Sequence, residues 1–210
     1  MEILRLTLGP YETNCYILVK ENKCLIVDPS DSADLILKVI EDRKLSPLAI
    51  LCTHGHSDHI KAIEGIRKKF RDLKIYCNKK EINDEIYTIE FGEKIPTLAS
   101  FDNLVFVDEE SKIKIGDFEV AVMDTPGHTP GSVMFIIENY IFSGDTIFRL
   151  GRGRTDFEGG DDRDMFNSMR RIYQLKLDGY IIFPGHGDET TLGYEKNYNP
   201  YLTIFKKGIY

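Results

Sequence analysis

The sequence has 210 residues, 42% of them hydrophobic, and a formal net charge of −7, which is the composition of an ordinary globular protein with enough chain for a substantial core. An acidic chain lacks the basic face that phosphate binding needs, so we expect no nucleic-acid partner. No apolar stretch approaches the roughly 18 to 20 residues of a membrane span, and no basic start with a long apolar run marks an export signal. We therefore expect a cytoplasmic protein with no membrane contact, and we leave its oligomeric state open.

The N-terminal half predicts strands alternating with helices. Strand-like apolar runs occur at 3–8, 15–19, 24–27, 48–52 and 75–77. Apolar residues recur at helical spacing over 35–40 and 60–70. Residues 78–103 are mixed and polar and give no assignment.

The C-terminal half predicts further strands and one long helix. Strands are expected at 104–107, 113–115, 118–123, 133–137, 140–142 and 180–183, and a helix at 161–177. Glu138-Asn139 has the composition of a hairpin turn. No repeat or linker interrupts the chain, so we expect a single domain over 1–210. Strand clusters with helices between them favour two packed sheets with helices outside, although periodicity alone does not exclude other α/β layouts.

The four cysteines form no C-x-x-C pair and lie in or at the end of apolar strand-like segments. We interpret them as reduced and mostly buried, as in a cytosolic protein. Cys52 lies two residues before His54 and is a conceivable metal ligand, but its strand alternation points it away from that histidine.

The sequence confines all five histidines to three short motifs, and the first of these is His54-Gly55-His56-Ser57-Asp58-His59. Neutral imidazole is the commonest protein ligand for borderline divalent metals. On an extended segment His54 and His56 point to one side. Asp58 and His59 follow where the chain turns into a helix, which aims them elsewhere. This spacing is what two adjacent ions need.

The other two histidines come from distant loops, His128 in P-G-H-T-P-G and His186 in P-G-H-G. The adjacent glycines allow tight backbone turns beside the ligands. Asp145 follows a strand in S-G-D-T, and a carboxylate can bridge two cations, which a neutral imidazole cannot. Together the motifs predict a metal site.

With these motifs in this order, the chain resembles the metallo-β-lactamase-fold hydrolases, and within them the short, single-domain, type II glyoxalase-like (hydroxyacylglutathione hydrolase-like) proteins. The likeness covers nearly the whole chain, including the segments 54–59, 153–157, 159–161, 184–187 and 199–200. It implies an α/β fold, a four-layer αβ/βα sandwich of two mixed β-sheets with helices outside and the site at one edge.

The resemblance also implies a ligand set for two divalent metal ions. One ion takes His54, His56 and His128, the other takes Asp58, His59 and His186, and Asp145 bridges them. We expect zinc, although this mixture of nitrogen and oxygen ligands also suits iron and manganese.

These features together predict a metal-dependent hydrolase that acts on a small-molecule thioester of the S-lactoylglutathione type. A hydroxide that bridges the two ions would attack the carbonyl, with Asp58 and Asp145 as the catalytic side chains. A thiolate leaves easily, so the reaction needs no spare histidine as a general acid. The longer type II glyoxalases bind glutathione largely through a C-terminal helical domain that this chain lacks, so the thiol carrier stays open.

Other activities remain open at this stage. The alternative is a mononuclear iron persulfide dioxygenase of the same fold, whose motifs are similar. A metal-buffering protein without activity, and a hydrolase of lactones or phosphoesters, are further readings. The missing export signal disfavours β-lactam cleavage, and a nuclease of this fold would need an added clamp domain.

Further residues are candidates for ligand orientation or substrate binding. Asp28 ends a strand and either caps a turn or orients a metal ligand. Arg149, Arg152 and Arg154 lie in a glycine-rich loop, and we favour their pairing with carboxylates such as Asp156, Asp161 or Asp162 over contact with an anionic substrate. Arg154 and Asp156 match the G-R-T-D run of the family that the chain resembles, which favours a structural lock on the loop.

Overall fold

The structure is a computed structural model and describes residues 1–207. Its strands, in chain order, are β1 (Glu2–Leu8), β2 (Thr13–Lys20), β3 (Lys23–Val27), β4 (Ser46–Leu51), β5 (Lys74–Cys77), β6 (Tyr87–Glu90), β7 (Glu93–Pro96), β8 (Leu104–Phe106), β9 (Ile113–Ile115), β10 (Phe118–Asp124), β11 (Val133–Ile137), β12 (Tyr140–Gly144), β13 (Ile147–Phe148), β14 (Gly151–Arg152), β15 (Ile181–Pro184) and β16 (Thr190–Thr191). Its helices are α1 (Ala33–Asp42), α2 (Ser57–Ile60), α3 (Ile63–Lys69), α4 (Asp162–Gln174) and α5 (Leu192–Tyr198). Short 3-10 turns cover Lys79–Glu81, Leu98–Ser100 and Thr203–Lys207.

Two mixed six-stranded sheets organise the described residues. The first has the order β1-β2-β3-β4-β5-β8 and the second β16-β15-β12-β11-β10-β9. One apolar cluster packs α1 and α3 on the first sheet, a second fills the space between the sheets, and a third packs α4 and α5 on the second sheet. This helix–sheet–sheet–helix layering confirms the predicted four-layer sandwich.

Burial on both faces explains why the central strands are continuous apolar runs. In β2, Cys15 and Ile17 face the helices while Tyr16 and Leu18 face the other sheet. A strand that is covered on both sides has no solvent face on which to place polar residues. The same sandwiching buries all four cysteines as free thiols, and burial raises the pKa of Cys24 to about 12. Cys52 lies in the cluster between helices and sheet and belongs to none of the groups that could hold a metal ion.

The two sheets are joined at one edge by contacts between β2 and the segment after β15. The amide of Asn14 donates to the carbonyl of Gly185 at 2.7 Å, and the Tyr16 hydroxyl donates to the carbonyl of Pro184 at 2.6 Å. Thr13 and His186 form an isolated antiparallel bridge. We call these contacts the seam.

Most predicted elements are present, but the helix expected over 60–70 is wrong as a single element. It is interrupted at Lys61 and Ala62, between α2 and α3. The Ala62 amide donates to the Pro29 carbonyl at 3.0 Å, so the preceding turn loses that hydrogen bond. The unassigned stretch 78–103 contains the β6–β7 hairpin.

None of the helices within residues 1–207 is both long and apolar enough to span a lipid bilayer.

Candidate metal centre

The side chains singled out in the sequence meet at the edge where parallel strands end. β3, β4, β5 and β8 run parallel, and so do β12 and β15. Asp28 follows β3, the 54–59 cluster follows β4, Asp145 follows β12 and His186 follows β15. The carboxyl ends of parallel strands form the usual binding edge of an α/β sheet.

Seven side chains converge there in three overlapping groups, and within each group the potential ligand atoms lie within 4.8 Å of one another. The groups are His54–His56–His128, His54–His59–Asp145 and Asp58–His59–His186. The first and third groups share no residue, so they can serve two ions. The middle group takes one histidine from each of the others together with Asp145, so that aspartate lies between them.

Four of the imidazoles are held by a contact of Nδ1, which leaves Nε2 for the centre. His59 Nδ1 is 3.0 Å from Asp28 Oδ2, and His128 Nδ1 is 2.8 Å from the Arg154 carbonyl. His186 Nδ1 is 3.0 Å from the Tyr11 carbonyl. His54 Nδ1 is 3.1 Å from Thr53 Oγ1. Such partners fix the tautomer and orientation of metal-binding histidines.

His56 differs from the other four histidines, because it presents Nδ1 rather than Nε2 to the centre of the cluster. Its Nδ1 is 2.9 Å from His128 Nε2, so it faces the centre alongside that ring. The ring of Phe157 covers both imidazoles, at 5.5 Å between ring centroids for His56 and 6.2 Å for His128.

The two carboxylates among the seven reach several imidazoles each. Asp145 Oδ1 is 3.4 Å from His59 Nε2, and its Oδ2 is 3.5 Å from His128 Nε2 and 3.4 Å from His186 Nε2. Asp58 Oδ2 is 3.4 Å from His186 Nε2 and accepts a hydrogen bond from Thr13 Oγ1 at 2.7 Å. Asp145 Oδ2 thus lies between the His54–His56–His128 group and the Asp58–His59–His186 group, and Oδ1 lies beside His59.

The residues present fit a pair of divalent cations. His54 Nε2, His59 Nε2 and Asp145 Oδ1 are buried atoms without a hydrogen-bond partner. Buried polar groups are almost always satisfied, so three such atoms facing one another indicate a missing ligand. Five imidazoles and two carboxylates form a donor set that suits zinc, iron or manganese. The cluster is therefore compatible with a dinuclear metal site.

The cluster side chains shift one another's pKa values. Burial would lower the pKa of His186, but hydrogen bonds with Asp145 and Asp58 raise it to about 9. Burial opposes charge on His59 too, yet the charge of Asp145 raises the pKa of this imidazole well above its usual range. Burial and the neighbouring His128 lower the pKa of His56 to about 4.

Metal loading at pH 7 is expected to release about two protons per protein, because His59 and His186 are imidazolium below their raised pKa values and must be neutral to bind a cation. The number of protons released on metal binding should fall as the pH rises through about 9, because His186, whose pKa is about 9, is then already neutral. Titration calorimetry in buffers of different ionisation enthalpy measures the number. An apparent enthalpy that is the same in every buffer at pH 7 would contradict the expectation.

The turn before His186 needs glycine for space. A Cβ at Gly185 would lie 2.2 Å from Asp145 Oδ1 and 2.6 Å from His59 Cε1. Both distances are far inside van der Waals contact, so any larger residue would push these side chains out of the cluster.

Sequence reasoning missed Glu81, which joins two of the histidine loops. Its Oε2 accepts the amide of Gly55 at 2.6 Å, and its Oε1 accepts the Thr129 hydroxyl at 2.6 Å and the amide of Gly131 at 2.8 Å. The only sequence signal was its place just after β5, whose carboxyl end shares an edge with that of β4.

The remaining candidates lie beside the cluster. The side chain of Arg154 pairs with Asp156 through two hydrogen bonds of 2.5 and 2.6 Å, and both side chains are exposed. The contact of Arg154 with the cluster is through its backbone carbonyl to His128. Asp28 also accepts the amide and the hydroxyl of Thr53, at 2.8 and 2.7 Å.

Comparison with known proteins gives one family. Residues 8–186 match the family model of the metallo-beta-lactamase superfamily. The chain is 34% identical to the probable metallo-hydrolase YqgX of Bacillus subtilis, over 98% of this chain and 99% of the relative. It is 32% identical to the hydroxyacylglutathione hydrolase GloC of Haemophilus influenzae, over 96% of this chain and 97% of the relative.

Two solved structures are similar over almost their whole length. The BLEG-1 B3 metallo-beta-lactamase superposes with a TM-score of 0.87 and 35% identity, covering 96% of this chain and 100% of that chain. TTHA1623 in a di-iron-bound form superposes with a TM-score of 0.79 and 31% identity, covering 95% and 100%.

Proposed function

Because the chain belongs to the metallo-β-lactamase superfamily of metal-dependent hydrolases, we propose that it hydrolyses thioesters of the S-lactoylglutathione type with two divalent ions. The observation that carries this proposal is the paired cluster, in which His54–His56–His128 and Asp58–His59–His186 flank Asp145. The similarity to a hydroxyacylglutathione hydrolase of nearly equal length supports the choice of substrate class.

In this proposal His54, His56 and His128, the first triad, would hold one ion. Asp58, His59 and His186, the second triad, would hold the other, and Asp145 would contribute to both. Two bound cations supply the acidity that ionises a water molecule and the positive charge that offsets a developing oxyanion. The protein's part is to hold the imidazoles rigidly through Asp28, Thr53 and two backbone carbonyls.

All five histidines are committed to the cluster, so none remains to protonate a leaving group. A thiolate is stable without that proton at neutral pH, whereas an alkoxide or amide anion is not. This difference favours a thioester over an ester or amide substrate. We further propose a small-molecule substrate, zinc as the resident metal and a cytoplasmic location.

The test is hydrolysis of S-lactoylglutathione by purified protein loaded separately with zinc, iron and manganese, with metal analysis on each batch. We expect two ions per chain and turnover at least about a hundredfold above a His54→Ala variant, which loses a ligand of the first triad. No turnover above that variant with any metal would reject the substrate.

Two parallel assays separate the alternatives. The BLEG-1 neighbour is named a B3 metallo-beta-lactamase, so a β-lactam is included as a competing substrate. Oxygen uptake with glutathione persulfide and one iron per chain would identify a persulfide dioxygenase instead.

A further inference from the structure

We propose that Thr13 is a positioning residue for the second ion. It holds Asp58 and His186, two of the three ligands of the second triad, so that binding of the second ion depends on Thr13 while binding of the first does not. This inference rests on the two-ion site of the proposed function and is independent of the identity of the substrate.

The hydroxyl of Thr13 fixes the orientation of the Asp58 carboxylate. Thr13 Oγ1 donates to Asp58 Oδ2 at 2.7 Å, and the threonine is 1% exposed. The same Oδ2 is 3.4 Å from His186 Nε2 and 3.6 Å from His59 Nε2, so it is the oxygen that faces the other two ligands of the triad. A carboxylate oxygen has two lone pairs, so the hydroxyl can occupy one and leave the other for a cation.

Asp58 lies where a carboxylate is otherwise free to rotate. Its helix, α2, has only four residues, and its side chain is 20% exposed, so it can turn its oxygens toward solvent. Selecting one rotamer from several on binding costs affinity, and a ligand that is fixed beforehand avoids that cost. The hydrogen bond from Thr13 therefore favours binding of an ion by orienting Asp58 in advance.

The backbone of the same residue supports His186. Thr13 and His186 form the isolated antiparallel bridge of the seam. The adjacent side chain strengthens this contact, because Asn14 Nδ2 donates to the carbonyls of Pro184 and Gly187 at 3.1 and 2.9 Å. The turn that carries His186 is thus bound to the start of β2 on both sides of the histidine.

The first triad is supported by other segments. His54 Nδ1 contacts Thr53 Oγ1, and His128 Nδ1 contacts the carbonyl of Arg154. Glu81 joins the two loops that carry these histidines. Because these supports do not lie at the start of β2, a substitution there should weaken one ion site and spare the other.

The experiment is a zinc titration of Thr13→Val, followed by NMR of protein labelled with ¹⁵N-histidine. Valine keeps the branched shape that strands favour and replaces only the hydroxyl. All five histidines belong to the cluster, so every imidazole signal reports on a candidate ligand. His54, His56 and His128 should reach their zinc-bound signals as in the wild type. His186 should need about tenfold to a hundredfold more free zinc, because residues that hold ligands in place carry that much of the affinity.

Two controls separate positioning from a general loss of stability. Thr13→Ser keeps the hydroxyl and should bind both ions with nearly wild-type affinity. Thr190→Val is the matched control, because Thr190 is also a buried threonine whose hydroxyl donates to a carboxylate, that of Glu195, at 2.6 Å. Neither Thr190 nor Glu195 belongs to a ligand group. Thr190→Val should lower the urea midpoint of the metal-free protein and leave both zinc affinities unchanged.

An equal rise in the zinc needed by all five imidazoles of Thr13→Val, or no rise, would overturn the assignment. A Thr13→Ser protein that binds zinc no better than Thr13→Val would overturn it too. A wild type that binds one zinc ion would refute the two-ion function, and this inference with it. Because the readout is metal binding, a wild type with two ions that hydrolyses no thioester would reject the proposed substrate alone, and the selective effect of Thr13→Val would still decide the inference.

Discussion

Replacement of Asp145 by asparagine is expected to lower thioester hydrolysis at least about a thousandfold and to reduce the tightly bound metal from two ions per chain to one or none. The carboxylate reaches both sides of the cluster, because its Oδ2 is 3.5 Å from His128 Nε2 and 3.4 Å from His186 Nε2. Its Oδ1 is 3.4 Å from His59 Nε2. An asparagine keeps the shape but is neutral and offers one oxygen, and its NH₂ group would face one cation. The negative charge that the two ions would share is therefore lost.

The measurements are steady-state kinetics and elemental analysis of the same Asp145→Asn preparation. Asp156→Asn is the matched control, because Asp156 is an exposed carboxylate paired with Arg154 and belongs to none of the ligand groups. It should keep both ions and nearly full activity. If Asp145→Asn also kept two ions and a rate within tenfold of wild type, Asp145 could not be the bridge between them.

Replacement of Glu81 by glutamine should have the second largest effect, although Glu81 belongs to none of the three ligand groups. Its carboxylate accepts three hydrogen bonds, two of them from the backbone amides of Gly55 and Gly131. A glutamine can accept on one side only, and its NH₂ would then face an N–H or O–H donor. We expect unfolding free energy to fall by about 2–3 kcal/mol, since hydrogen bonds to a charged group are lost and a buried donor is left unsatisfied.

The same substitution should weaken metal binding at His54, His56 and His128 by about tenfold to a hundredfold, because residues that hold ligands in place carry that much of the affinity. Denaturant unfolding of the metal-free protein and competition with a chelating dye measure the two effects separately. Glu64→Gln, at an exposed position of α3, controls for the loss of one negative charge. Full metal affinity in Glu81→Gln would show that the two histidine loops keep their geometry without this carboxylate.

The sequence alone predicted the features that depend on local pattern. Continuous apolar runs identified β2, β3 and β4, because a strand covered on both faces needs no polar residue. The first histidine motif was recognisable because its candidate ligands, His54, His56, Asp58 and His59, lie within six residues. The interpretation of Asp28 left two roles open, and its geometry suits both. Its φ of 47° turns the chain after β3, and its carboxylate contacts His59.

Features that depend on contacts between distant segments were not predictable. The partners of Glu81 are 26 and about 50 residues away, and no spacing rule connects them. The break in the 60–70 helix arises because the carbonyl of Pro29, on a different element, accepts the amide of Ala62. The sequence of the β6–β7 hairpin gave no strand assignment. Of its four apolar residues, Tyr87, Ile89 and Phe91 are exposed and Ile95 is buried, so the hairpin has no continuous apolar face. In each case tertiary context overrides local preference.

The seam between β2 and the segment after β15 has a consequence for how the protein resists unfolding. Both ligand triads draw on the two sheets at once, since His54, His56, Asp58 and His59 follow a strand of the first sheet while His128 and His186 follow strands of the second. An ion bound by either triad would therefore cross-link the halves, and separating them would cost the ion's binding free energy as well. That contribution grows by about 1.4 kcal/mol for every tenfold excess of free metal over its Kd. The resistance of the two halves to separation would thus vary with the metal supply. The apolar core between the sheets and the hydrogen bonds of the seam remain when metal is scarce.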